Sequence, residues 1–69
     1  MMWYLIVRSP AGKVDVYPAG SGSPNETLTA IGRAEAELGA AVIDPGWDVS
    51  VTCGEPHPSL LAVATVHAA

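Results

Sequence analysis

The sequence predicts an α+β fold: one helix packed on one face of an antiparallel or mixed sheet of four to five strands. Three observations carry this. A single stretch, Ser23–Gly39, has both helix ends written into it. The other apolar runs are short, rich in Val, Tyr and Trp, and bounded by Pro and Gly. The chain has only 69 residues, so a helix with one apolar face has nothing but a sheet to cover it. The expected element order is ββαβββ, in one small domain spanning residues 1–69.

The helix is the clearest element. Ser23 is a good N-cap, because its hydroxyl accepts from an orphan N–H of the first turn. Pro24 falls at the first helical position, where its missing N–H costs nothing. Glu26, three residues after Ser23, is placed to complete a capping box, and Gly39 supplies a left-handed stop. The body is rich in Ala, Leu and Glu, good helix formers. At about 100° per residue, Leu28, Ile31, Ala34 and Leu38 share one face, and Glu26, Thr29, Arg33 and Glu37 the other. Glu35 falls near the centre of the apolar stripe, either bending out to solvent or held at a packed surface, for a partner's cation or as an acid/base group with a raised pKa. Gly32 stands mid-helix, where it is a poor former or permits close approach of a neighbour.

Met2–Arg8 reads as a strand apolar on both faces, hence central, with something packed on each side. The helix covers one face, and a second copy or a partner is the candidate for the other. Ser9-Pro10-Ala11-Gly12 is a turn. Lys13–Tyr17 alternates, with Val14 and Val16 expected inward and Lys13, Asp15 and Tyr17 outward. Ala19–Gly22 connects to the helix cap and lacks the Lys and glycine spacing of a phosphate loop. Ala40–Ile43 is a short apolar run before the turn at Asp44-Pro45-Gly46. Trp47–Cys53 alternates cleanly and reads as a half-buried strand. Leu60–His67, after the loop Gly54–Pro58, is expected to be the final strand.

Composition bounds the function. Hydrophobic residues make up 49% and charged residues 14%, where about 25% charged is ordinary. A chain this short buries only about 60% of its unfolded surface. Too little polar side chain for so small a monomer points to self-association or to a larger protein as partner. The net charge of −4, from 3 basic against 7 acidic residues, argues against direct nucleic-acid binding, which needs a basic stripe. It also argues against an anionic membrane surface. The apolar runs are far shorter than the roughly 20 residues of a membrane helix. One cysteine, with no signal-peptide pattern, makes a cytoplasmic protein the expectation.

Chemistry is sparse. Cys53, His57 and His67 are the only soft ligands, and their spacing does not make a zinc site. No nucleophile–base pair is legible, so no catalytic residue, metal or other cofactor is assigned. Aromatic residues are favoured interface anchors. Tyr17, on its expected outer face, is the best contact residue, with Trp3, Tyr4 and Glu35 beside it. The expectation is a non-enzymatic protein–protein interaction module that self-associates or docks on a larger protein. It would act as a regulator, an accessory subunit or an inhibitor of the bacteriophage type. The alternative is a small oligomeric enzyme or ligand-binding protein with its pocket at a subunit interface.

Overall fold

In the computed structural model, which describes residues Met1–Ala69, the element order is β1 (Trp3–Arg8), β2 (Val14–Pro18), α1 (Pro24–Leu38), β3 (Asp48–Cys53), a helical turn α2 (Pro58–Leu61) and β4 (Thr65–Val66). The four strands form one mixed sheet in the order β3-β1-β2-β4. The α+β class with one long helix on the sheet is as expected. Strand β1 is central, antiparallel to β2 (Leu5 opposite Tyr17) and to β3 (Leu5 opposite Val51). Strand β4 runs parallel to β2.

The topology follows from handedness. Strands β2, β3 and β4 all point the same way, so β2-α1-β3 and β3-α2-β4 are both parallel crossovers. They step along the sheet in opposite directions. Right-handed crossovers that step oppositely lie on opposite faces. So α1 takes one face, and residues 54–64 cross the other to reach the far edge.

This arrangement corrects three expectations. The face away from α1 is covered over β2 by the chain's own C-terminal crossover, while Tyr4 and Ile6 of β1 stay half-buried there. Val14 and Val16, on that face, are 4% and 0% exposed, and Pro56 in the crossover is buried. Second, Ala40–Ile43 forms turns and no strand, because Asp44-Pro45-Gly46 must reverse the chain at once. Third, Leu60–His67 is not one strand. His57 caps a helical turn, its Nδ1 accepting from the Ser59 N–H at 3.1 Å, with Pro58 at the first position. Only Thr65–Val66 pair with the sheet.

The main core lies between α1 and the sheet: Leu5, Val7, Tyr17, Ala19, Ala30, Ala34 and Val42, flanked by Trp3, Ile31, Leu38, Trp47 and Val49. Of the expected inward face, Ile31, Ala34 and Leu38 do meet the core, but the stripe is shifted toward Ala30 and away from Leu28. Ala30 and Ala34 sit at its buried centre, and Leu28 is 64% exposed. Two alanines let the helix approach closely, so that large sheet residues, Tyr17 among them, fill the space.

The helix ends are held as the sequence implies, with one change. Ser23 caps, accepting from the Glu26 N–H at 3.3 Å. The Glu26 carboxylate reaches past Ser23 to the Ser21 N–H (2.6 Å) and the Ser21 hydroxyl. Those Ser21 bonds, with a lesser one from Ser23, hold its carboxyl below the ordinary value. Gly39 ends the helix at φ 66°, its N–H donating to the Glu35 carbonyl.

Candidate functional site

Two features of the molecule carry chemistry. One is a polar cluster between the helix and the β2–β4 side of the sheet. The other is the open edge of the sheet at β3.

The cluster starts from β2. Side chains opposite one another in an antiparallel pair share a face, and Val7 opposes Asp15 as Leu5 opposes Tyr17. Asp15 and Tyr17 therefore point under the helix. This overturns the expected outward direction of Tyr17: it is fully buried and offers no contact surface. Val14 and Val16 are buried as expected, on the opposite face; Asp15 and Tyr17 are buried as well, because β2 is covered on both sides.

Asp15 is 2% exposed. A buried carboxylate needs partners. It finds His67 Nε2 at 3.0 Å and, more weakly, Lys13 Nζ at 3.8 Å. The other imidazole nitrogen, Nδ1, lies 3.2 Å from Glu37 Oε2 on the helix. The His67 ring stacks on Tyr17, with centroids 4.1 Å apart and planes 5° from parallel. Arg33 closes the group: its Nε donates to Glu37 Oε1 at 3.3 Å, its Nη1 to the Ala68 carbonyl, and its guanidinium lies 5.5 Å from the Tyr17 ring centre. A neutral imidazole donates to one of the two carboxylates, whereas an imidazolium donates to both.

The Tyr17 hydroxyl is buried with no well-formed hydrogen bond. Burial, then the negative charges of Asp15 and Glu37, push the phenol from 10.0 up to about 12, against a smaller opposing pull from Arg33. With both imidazole nitrogens turned to carboxylates of the chain, the cluster works as a clamp. It fastens the two-residue β4 to β2 and to α1, alongside the His67 N–H to Val16 carbonyl bond of 2.8 Å.

The remaining sequence candidates are dispersed. Glu35 is half-buried, and its Oε2 accepts from the Val42 N–H at 3.1 Å, which pins the loop after the helix. Trp3 is half-buried on the helix side, its ring against the backbone of Gly22. Tyr4 is half-buried on the opposite face, between Pro18 and Thr52 across the strands. Cys53 is exposed, with its Sγ 3.4 Å from Met1 Sδ. An open pocket of about 300 Å³ lies between the start of α1 and the end of β2, lined by Pro18, Ala19, Glu26, Ala30 and Arg33 among others. Its two charged groups are committed, Glu26 to Ser21 and Arg33 to Glu37.

The second feature is the β3 edge. The Gly54 N–H donates to the Met2 carbonyl, so by strand period Asp48, Ser50 and Thr52 also turn their backbone groups toward β1. Val49, Val51 and Cys53 turn theirs outward, and no backbone group of the chain bonds to them there. Sequence reading located this strand but did not single out its edge, since strand order is not legible from one sequence.

No family model matches the chain, and no curated protein and no solved structure is similar to it. No helix is long and apolar enough to cross a membrane.

Proposed function

We propose that this protein is a non-enzymatic protein–protein interaction module, acting by self-association or by docking on a larger protein. The observation that carries the reading is the open edge at β3: a full six-residue strand whose outward amides and carbonyls have no mate within the chain. Such an edge is a template for another polypeptide. The opposite edge is only two residues long and clamped by His67.

The acid–base groups that do cluster support the same reading. Both nitrogens of His67 face carboxylates of the chain itself, so neither is directed at a substrate. Exposed Ile43, Val63 and Leu28 add apolar surface in keeping with a docking protein. A cytoplasmic setting and a role as regulator, accessory subunit or phage-type inhibitor remain part of this proposal. They rest on small size and acidity.

The test is solution mass by light scattering from low micromolar to millimolar concentration. A mass that rises with concentration is the expected result. A monomer throughout would overturn the self-associating form of the reading.

A further inference from the structure

We infer that a second copy of this chain is the occupant of the β3 edge, paired antiparallel about a two-fold axis that passes through Val51. The inference rests on the self-associating reading above and specifies its surface and register.

The register follows from which backbone groups face outward. On β3 these belong to Val49, Val51 and Cys53, as the Gly54–Met2 bond and the β1–β3 register require. A two-fold axis at Val51 sets Val51 opposite itself and Val49 opposite Cys53 of the partner. Every outward N–H and C=O of the three residues then finds a mate, which no register centred on Ser50 or Thr52 achieves within the strand. Side chains match too. Val49, Val51 and Cys53, all on the helix side, meet their own kind, and Ser50 meets Thr52 on the other side. The symmetric contact is isologous and closes, so it ends at two copies.

Charge selects the same direction. In a parallel, in-register pair Asp48 would stand beside Asp48, and like charges directly opposite are destabilising. In the antiparallel pair Asp48 faces Gly54, and its near neighbour within the chain is Arg8, directly across on β1. Nothing on β3 blunts the edge: Asp48-Val49-Ser50-Val51-Thr52-Cys53 holds no Pro, Lys or Gly. Val51, at the axis, is 36% exposed. A six-residue strand edge, about 20 Å long and one layer of about 10 Å deep, presents on the order of 200 Å², short of the roughly 800 Å² per partner of a standard stable interface. The pairing is accordingly weak and governed by concentration.

Two substitutions read the surface and the register separately. Val51→Pro removes an outward N–H that the monomer does not use, and proline is tolerated on an edge strand when its N–H side faces solvent. The expected result is a dimerisation midpoint moved to at least about tenfold higher concentration, with the circular dichroism of the monomer retained. Should Val51→Pro unfold the chain, the cysteine pair decides alone. In a Cys53→Ser background, Val51→Cys should cross-link to itself on mild oxidation, because hydrogen-bonded antiparallel partners lie about 5.5 Å apart at Cα. Ser50→Cys, whose opposite residue is Thr52, should not. A folded Val51→Pro that dimerises like the parent, or cross-linking at Ser50→Cys and not at Val51→Cys, would overturn the inference and leave self-association standing through another surface. A parent chain that stays monomeric would overturn both.

Discussion

Tyr17 shows how a single buried hydroxyl sets a pH limit on the fold. Its pKa is raised to about 12 from 10.0, first by burial and then by Asp15 and Glu37. A raised folded value means that the unfolded chain gives up the proton first. The contribution of the neutral phenol is therefore complete below about pH 10 and is lost as the pH rises toward about 12. Denaturant titrations at stepped pH should show stability falling across that window, and Tyr17→Phe should abolish that part of the fall. The same substitution removes a buried hydroxyl without a well-formed partner, a defect worth about 1–3 kcal/mol. Tyr17→Phe is expected to be neutral or stabilising at neutral pH. A loss above about 1 kcal/mol would mean that the hydroxyl is bonded after all.

His67 is the opposite case, a side chain whose removal leaves others stranded. His67→Ala would leave the Asp15 carboxylate buried, with only Lys13 at 3.8 Å. The cost of a truncated buried pair lies chiefly in that uncompensated charge. A loss of about 2 kcal/mol is expected, less than for a sealed pair because His67 is partly open to solvent. Adding Asp15→Asn to His67→Ala should recover part of it, since the stranded group then carries no charge. A double-mutant cycle with no coupling between the two positions would refute the clamp.

At the scale of elements, α1 was legible from end to end because its signals are local: a capping serine, a proline at the first position and a glycine stop. Its rotation was not. Counting apolar residues weights Leu28 above Ala30, but packing distance to the sheet decides which faces inward, and alanine permits the closer approach. Gly32 follows from that rotation. A Cβ there would meet nothing within 4 Å, and the residue is exposed, so close approach is not its reason. Gly32→Ala should raise stability by about 1 kcal/mol, measured by chemical denaturation. No gain would indicate that the native helix is distorted at that turn.

The C-terminal third was the least legible, for the same physical reason. Leu60–His67 alternates adequately for a strand, but its alanines suit a helical turn equally well, and His57 as a side-chain cap has no place in the usual set of serine, threonine and aspartate. Nor does pattern reveal that Asp15, Glu37 and His67 meet. They lie on three elements, brought together only by the parallel pairing of β4 with β2. That β1 would be central was legible in its doubly apolar pattern. That the chain's own C-terminal crossover covers β2 on the far face, leaving Tyr4 and Ile6 half-buried, was not.

For the molecule as a whole, the sheet supports two thin cores, one under α1 and one under residues 54–64. Only 11 of 69 residues are buried. The accessible surface of 4107 Å² is close to the roughly 4,100 Å² expected for a folded monomer of this mass, so the subunit is properly packed and simply small. A small margin of stability makes any contact that binds only the folded state thermodynamically visible. If β3 pairs with its copy, the thermal midpoint must rise with protein concentration, because dimerisation draws on the native form alone. The parent chain should therefore melt several degrees higher at millimolar than at micromolar concentration. Val51→Pro should show a clearly weaker dependence, while Gly32→Ala, which acts inside one subunit, should raise both curves equally. A parent midpoint indifferent to concentration over that range would place the stabilising contacts wholly within the single chain and leave the β3 edge without its second copy.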